Sequence, residues 1–194
     1  NHVSWLDVFA LNALRPAAFV AKSEVRAWPL IGWLAATNDT LFIRRGRCQD
    51  AGEAAGIMAE KLQQGRDVAI FPEGTTTDGT QVLEFRSALL QAAVDARRPV
   101  LPVAIAYVDE HGRRAVQAAY AGVTTMAQSL AAIIASRSLT VRVQPLALID
   151  APTASRRELA QAARGAIARA LNAPVPELGE RSVRLPVRLV PAEG

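Results

Sequence analysis

Short apolar runs alternate with amphipathic segments along the first 150 residues of the chain. The runs at residues 17–21, 40–43, 67–71, 100–107 and 141–149 have the length and composition of buried strands. Segments between and beside them, at 50–65, 84–96 and 123–135, repeat apolar residues every three or four positions, as helices packed on a sheet do. The pattern predicts an α/β fold in a single domain, with a mixed, mostly parallel sheet flanked by helices.

The first seven residues place a histidine and a carboxylate, His2 and Asp7, in an otherwise apolar segment. Side chains five residues apart on an ideal helix point roughly 140° away from each other, so the two cannot meet from within one helix. We therefore expect His2 to precede a helix that ends near residue 15, and Asp7 to reach back from its first or second turn to a ring N–H. Such a pair is a general base for a hydroxyl group. The alternative for this segment alone is a helix cap beside a surface His–Asp pair.

A second polar stretch, residues 71–79, follows the predicted strand at 67–71 and contains Pro72, Glu73, Gly74 and Thr75. A strand that ends in proline, glycine and hydroxyl residues presents backbone N–H groups and a carboxylate at the sheet edge, a usual place for a ligand site. A buried Glu73 is costly unless it is hydrogen-bonded or paired with an arginine. We expect Arg45 to be that arginine.

The order and separation of the His-x4-Asp and Phe-Pro-Glu-Gly-Thr segments resemble those of the glycerolipid acyltransferase family, which includes the lysophosphatidic acid acyltransferases. The resemblance extends over about residues 1–150 and includes the apolar run around Pro102. It implies a glycerol-3-phosphate acyltransferase-like fold and a catalytic role for His2 and Asp7. It also implies that Glu73, Gly74 and Thr75 belong to the acceptor-binding or catalytic surface, and we expect them to bind the acceptor.

Three arginines, Arg44, Arg45 and Arg47, stand within four residues at the end of the predicted strand 40–43. In the family's second motif Arg45 takes the arginine position and Arg44 the variable one, while Asp39 stands where a glycine is usual. We expect Arg44 and Arg45, with Lys22 at the end of the strand 17–21, to bind the polar head of the acceptor. The alternatives are a solvated basic turn and a solvated loop lysine.

The resemblance implies transfer of a fatty acyl group from acyl-CoA or acyl carrier protein to the hydroxyl of a lysolipid. The acceptor it favours is 1-acyl-sn-glycerol-3-phosphate, with lyso-ornithine lipid as the alternative, and it requires neither cofactor nor metal. Two rivals remain open. One is a serine hydrolase using Ser4 or Ser23, although no Gly-x-Ser-x-Gly segment occurs in the chain. The other is a lipid-binding module without turnover.

Composition narrows the class of partner. No apolar run reaches the roughly 18 residues that a membrane-spanning helix requires, although 51% of the residues are apolar. The net charge of +4 comes mostly from arginine, which suits anionic headgroups, and the 5% aromatic content with no interleaved basic run argues against nucleic acid. The single cysteine excludes a disulfide framework. We expect His111 to be a solvated turn residue.

The chain is expected to divide into an acyltransferase domain at 1–171 and an extended, proline-rich tail at 172–194. Ser155 and Glu158 fit a capping box that opens the last helix, and four arginines mark its outward face: Arg156, Arg157, Arg164 and Arg169. Such a face suits an anionic membrane surface, or else plain solvent. Because the chain opens on Asn1 inside the first motif, we expect residues upstream, including any membrane anchor, and a location at the cytoplasmic face of a bacterial inner membrane.

Overall fold

The fold is taken from a computed structural model, which describes residues 1–22, 40–43, 48–151, 154–172 and 182–184. The side chains at 21–22, 42–43, 48–51, 172 and 182–184 are not part of that description. In the described ranges the helices are α1 (Leu6–Leu14), α2 (Cys48–Gln63), α3 (Gln91–Asp95), α4 (Met126–Ala135) and α5 (Arg156–Asn172). The strands are β1 (Ala18–Lys22), β2 (Leu41–Ile43), β3 (Val68–Ala69), β4 (Val103–Val108), β5 (Thr140–Pro145) and β6 (Ser182–Arg184).

The predicted α/β class is confirmed, and its strands form two three-stranded ladders. In the first, β1 lies between β2 and β3 and pairs with both in parallel. In the second, β5 lies between β4 and β6 and pairs with both antiparallel. Parallel and antiparallel pairings are thus equal in number among the described strands, whereas the pattern predicted a mostly parallel sheet. The sequence did not determine this balance, because an apolar run indicates a strand without fixing its neighbour or direction. The strand β6 lies in the region predicted to be an extended tail.

Two predicted elements are shorter than their sequence patterns. The strand expected at 67–71 pairs only over Val68–Ala69, because a turn closed by the Gly74 N–H on the Phe71 carbonyl follows at once. The helix expected at 84–96 begins as a 3₁₀ turn at Ser87, since Arg86 is extended and donates its backbone N–H to the Pro72 carbonyl. Both shortenings arise from backbone bonds made by the residue 71–79 segment.

The strand β4 separates two parts of the core. Ile105 and Tyr107 point to one side, where they pack with Val3, α1 and β5, while Ala104 points to the other side, against α5. This alternation follows from the two-residue period of a strand. The first residues of the chain are thereby packed against one face of β4, which places the His-x4-Asp segment in the core rather than on the surface.

In the part of the chain that the structure describes, no helix is long and apolar enough to cross a bilayer.

Candidate active site

The structure brings His2 and Asp7 together in the way their spacing predicts. His2 lies four residues before α1, and Asp7 is in its first turn, where its backbone N–H donates to the Ser4 carbonyl at 3.1 Å. The distance between His2 Nδ1 and Asp7 Oδ2 is 2.8 Å. Because a carboxylate only accepts, Nδ1 carries the hydrogen and donates it, and Nε2 carries a lone pair.

Asp7 is fully buried, and four donors compensate its charge. Oδ2 accepts from His2 Nδ1, from the Val3 backbone N–H at 2.7 Å and from the Ser4 backbone N–H at 3.1 Å. Oδ1 accepts from the Tyr107 hydroxyl at 2.7 Å. A buried carboxylate with this many donors is held in one orientation, so it fixes the tautomer and the direction of the imidazole.

The imidazole of His2 is held between the core and the surface. One face stacks on Phe71, with ring centroids 3.9 Å apart and an angle of 17° between the planes. The side chain keeps 19% of its surface exposed, and within the described residues no hydrogen bond to Nε2 is seen. The ring is therefore partly open to solvent, with its Nδ1 engaged by Asp7.

The 71–79 segment also binds the backbone of His2. Glu73 Oε1 accepts the His2 N–H at 2.9 Å, and the His2 carbonyl accepts the Thr77 N–H at 2.9 Å. The two polar stretches that sequence analysis singled out, separated by about 70 residues, thus form one backbone-bonded unit. Thr76 continues the unit by donating its hydroxyl to the Tyr120 carbonyl.

Glu73 is buried, and both of its carboxylate oxygens accept backbone N–H groups. Oε1 accepts from His2 and Oε2 from Leu83, the latter at 3.2 Å. The expected condition for burying this carboxylate is met by hydrogen bonding. The pairing of Glu73 with Arg45 stays a prediction, because Arg45 lies outside the described residues.

The structure describes only some of the other residues predicted to bind the acceptor. Gly74 has φ of +72°, a left-handed conformation that glycine adopts without strain, and it lets the chain turn between Glu73 and the exposed Thr75. Lys22 ends β1, but its side chain is not described, and Arg44 lies outside the described residues together with Arg45. The arginine-rich turn therefore stays a prediction.

Sequence reasoning missed Asn1 and Tyr107, which β4 brings to the site. The Asn1 side chain pairs with the backbone of Ile105 in both directions, Nδ2 to the carbonyl at 2.9 Å and the Ile105 N–H to Oδ1 at 2.8 Å. Two residues further on, Tyr107 reaches Asp7. The available signal was the alternation of β4, which puts a tyrosine hydroxyl on the face that Ile105 occupies.

The arginines expected on the outward face of the last helix do not all face solvent alone. The capping box is present, with the Ser155 N–H donating to Glu158 Oε2 at 2.7 Å. Arg164, however, donates from Nε and Nη2 to the Val82 carbonyl at 3.1 and 2.9 Å, and from Nε to the Leu83 carbonyl at 2.9 Å. This side chain joins α5 to the loop whose Leu83 N–H binds Glu73.

The rival nucleophile Ser4 is fully buried, and its hydroxyl oxygen accepts the Leu6 N–H at 3.4 Å. A buried hydroxyl cannot meet a substrate carbonyl without local unfolding. Ser23, the other candidate, lies outside the described residues. His111 is exposed in a turn beside Glu110, as predicted.

Replacement of Ser4 by alanine tests the buried hydroxyl directly. We expect acyl transfer to fall by less than about tenfold, because the variant loses one long, weak hydrogen bond worth about 1 kcal/mol. An obligatory serine nucleophile would instead show a loss of about 10⁶-fold. Steady-state kcat of the unaltered protein and of Ser4→Ala distinguishes these two outcomes. A covalent acyl-serine detected by mass spectrometry in the unaltered protein would contradict our expectation.

Comparison with known proteins places this unit in a family. The family model described as Acyltransferase matches residues 1–106, more than half of the chain. The chain belongs to the acyltransferase family. The matched range contains His2, Asp7, the 71–79 segment and most of β4, so the paired stretches described above belong to the family match.

Curated relatives of this family member have two different acceptors in their names. A 1-acyl-sn-glycerol-3-phosphate acyltransferase of Neisseria meningitidis is 40% identical over 157 residues, covering 81% of this chain and 61% of the relative. A lyso-ornithine lipid O-acyltransferase of Pseudomonas aeruginosa is 42% identical over 174 residues, covering 88% of this chain and 66% of the relative. The chain therefore spans about two thirds or less of the length of these relatives.

A solved structure shares the fold of this family member. The 1-acyl-sn-glycerophosphate acyltransferase PlsC of Thermotoga maritima aligns with a TM-score of 0.56 at 24% identity, over 88% of this chain and 62% of the other. The α/β fold of this chain is thus shared with a solved acyltransferase structure.

Proposed function

We propose that this chain is the catalytic part of an enzyme that moves a fatty acyl group from a thioester donor to the hydroxyl of a lysolipid. The observation that carries the proposal is the His2–Asp7 pair. Its Nδ1 is bonded to a buried carboxylate at 2.8 Å, and 19% of the histidine side chain stays exposed, which leaves Nε2 as the ring nitrogen for an acceptor hydroxyl. Family membership and the names of the relatives agree with acyl transfer.

The first step in this proposal is attack of the lysolipid oxygen on the thioester carbon. A lipid hydroxyl is a poor nucleophile near neutral pH, so Nε2 of His2 removes its proton as the new carbon–oxygen bond forms. The resulting imidazolium is stabilised by Asp7, whose negative charge lies at hydrogen-bond distance from Nδ1. General base assistance of this kind contributes about 10²–10⁴-fold to the rate.

The second step is collapse of the tetrahedral intermediate. The carbon–sulfur bond breaks, and the departing thiolate takes the proton back from Nε2, which returns His2 to its neutral form. Atoms and charge balance without any further reactant, since acyl group and proton simply exchange between oxygen and sulfur. Either acyl-CoA or acyl carrier protein supplies a thioester of the required chemistry.

The acceptor we place first is 1-acyl-sn-glycerol-3-phosphate. Its phosphate monoester suits the planar, bidentate guanidinium groups predicted at Arg44 and Arg45, with Lys22, Gly74 and Thr75 as further contacts. Lyso-ornithine lipid is the second candidate, because the Pseudomonas aeruginosa relative that carries this name is 42% identical and covers more of the chain. The two acceptors differ in headgroup charge, so the basic turn is where selection between them would occur.

We also propose that the enzyme acts at a membrane surface, at the cytoplasmic face of a bacterial inner membrane, since its lipid acceptor resides there. Exposed arginines of α5 support an anionic contact, namely Arg156, Arg157 and Arg169. Arg164 is excluded from that set because it binds the 82–83 loop.

The test is an assay of the full chain on vesicles that contain one lysolipid at a time, with radiolabelled acyl-CoA or acyl carrier protein. We expect product with one of the two acceptors and a loss of about 10²–10⁴-fold in His2→Ala. The matched control is His111→Ala, which removes the exposed turn histidine and should keep full activity. Unchanged product yield in His2→Ala would contradict the proposed role of His2, whereas no product from the unaltered chain with either acceptor would favour a binding module.

A further inference from the structure

The strand β4 contacts the His-x4-Asp segment at two points on one face. At Ile105 the contact is the reciprocal amide pairing with Asn1. At Tyr107 the contact is one hydrogen bond of 2.7 Å, which the phenol hydroxyl donates to Asp7 Oδ1. The two residues are 100 positions apart in the sequence. The Asn1 contact joins the Asn1 side chain to the backbone of β4, whereas the Tyr107 contact acts on the carboxylate itself.

The Tyr107 hydroxyl is a donor in this bond. The side chain is 3% exposed, and burial, together with the charge of Asp7 beside it, raises the pKa of the phenol far above its usual range. It therefore stays protonated near neutral pH. Within the described residues, Tyr107 is the partner seen for Oδ1, while the other three donors all bind Oδ2.

Two consequences follow for the imidazole. With Oδ1 held, rotation about the Cβ–Cγ bond of Asp7 is blocked, and Oδ2 stays directed at Nδ1. The phenol also draws negative charge toward Oδ1, which moderates the attraction of Oδ2 for the imidazolium. The first effect keeps the imidazole of His2 correctly aimed, and the second weakens the hold of Asp7 on the proton of the imidazolium.

We propose that Tyr107 is a positioning residue for acyl transfer, whose hydroxyl orients Asp7 and sets how strongly Asp7 holds the proton on His2. It touches neither acyl donor nor acceptor and acts through the His2–Asp7 pair. The proposal rests on the proposed role of His2 as general base.

The test variant is Tyr107→Phe, which removes the hydroxyl and keeps the ring in the core. We expect kcat to fall about 10- to 100-fold with the acceptor KM unchanged, as for loss of a hydrogen bond to a charged group. We also expect the acidic limb of the kcat/KM profile to move to higher pH by about half a unit to one unit, because Asp7 then holds the imidazolium more tightly. The titratable groups of described elements packed around the pair are Tyr107 itself, Glu73, which faces the His2 backbone, and the amino group of Asn1, which interacts with the charges of Glu73 and Asp7.

Ser129→Ala is the matched control. This substitution also deletes a buried hydroxyl. The Ser129 hydroxyl accepts from the Trp5 indole N–H at 3.1 Å and is not a hydrogen-bond partner of Asp7. We expect it to lower the midpoint of thermal unfolding as Tyr107→Phe does, and to leave the pH profile in place. If Tyr107→Phe also reduces activity at every pH without moving the acidic limb, its role is structural and the proposal is overturned.

A second substitution covers the case in which the phenylalanine variant does not fold. Placing 3-fluorotyrosine at position 107 makes the phenol a stronger donor with little change in size, so the acidic limb should move to lower pH. An unmoved limb in the fluorinated protein overturns the proposal by itself.

The proposed role of Tyr107 can be tested apart from the proposed function by a measurement that does not need turnover. The ring resonances of His2, followed by NMR against those of the exposed His111, should titrate at higher pH in Tyr107→Phe and at lower pH with fluorotyrosine. These shifts would be seen even if His2→Ala retained acyl transfer and general base catalysis were abandoned. Identical His2 titrations in all three proteins would overturn the coupling between Tyr107 and the pair.

Discussion

Replacement of Asp7 by asparagine is expected to lower kcat for acyl transfer by about 10²–10⁴-fold while leaving the fold intact. Asparagine has the same shape, so the buried site is neither emptied nor overfilled. In the proposed mechanism, what it loses is the negative charge that stabilises the imidazolium when His2 takes the acceptor's proton. The acceptor KM should change little, because Asp7 is buried and does not reach the substrate.

The donors around Asp7 decide how the new amide lies. Three N–H groups converge on the Oδ2 position, so the asparagine oxygen must take that place and the NH₂ group must take the Oδ1 position. There it meets the Tyr107 hydroxyl, which can turn and accept instead of donate. The tautomer of His2 is thereby kept, and the loss of rate reports the missing charge rather than a reversed imidazole.

Single-turnover and steady-state kinetics of Asp7→Asn, His2→Ala and the double variant check this result. Because the two residues act as a unit, the double variant should be no slower than the worse single variant by more than a few fold. Asp95→Asn, which neutralises an exposed aspartate on α3, is the control for charge alone. Losses that multiply in the double variant would mean that His2 and Asp7 act independently.

Replacement of Glu73 by glutamine is expected to lower the free energy of unfolding by about 1–3 kcal/mol and to reduce kcat at the same time. Both oxygens of Glu73 accept backbone N–H groups, one of His2 and one of Leu83. Glutamine has one acceptor oxygen, so its NH₂ group must face one of these donors and leave it unpaired. If that donor is the His2 N–H, the imidazole is displaced from the acceptor.

This result separates two roles for Glu73. A carboxylate that binds the acceptor headgroup would, when changed to glutamine, raise the lysolipid KM and leave unfolding unaffected. A carboxylate that holds the His2 backbone changes stability and kcat together. Denaturant unfolding and kcat measured on Glu73→Gln and on Glu84→Gln, an exposed glutamate nearby, make the comparison. A rise in KM with normal stability would contradict the backbone role.

The meeting of His2 and Asp7 was predictable because it depends on local geometry alone. Five residues of helix cannot bring two side chains together, whereas a histidine just before a helix and a carboxylate in its first turn can. The same holds for the capping box of Ser155 and Glu158, which needs one turn of chain. Such features are fixed by bond lengths and torsion angles over a few residues.

The partners of Glu73 and Asp7 were not predictable in this way. Sequence reasoning required that Glu73 be hydrogen-bonded or paired with an arginine, but it did not identify the backbone N–H groups of His2 and Leu83 that its oxygens accept. Backbone N–H groups occur at every non-proline residue, so nothing in the residue types distinguishes the two that Glu73 finds. Tyr107 was equally hidden, since its reach to Asp7 depends on how α1 lies across β4.

By itself, the sequence determined the α/β class, the family resemblance, the local His2–Asp7 geometry and the two polar stretches proposed to carry the chemistry. Only the tertiary structure decided which stretches touch, that Glu73 faces the His2 backbone, and that a tyrosine of β4 completes the burial of Asp7. The physical reason is range: torsion preferences and side-chain periodicity act over a few residues. Contacts across 71 and 100 residues depend on how the whole core packs.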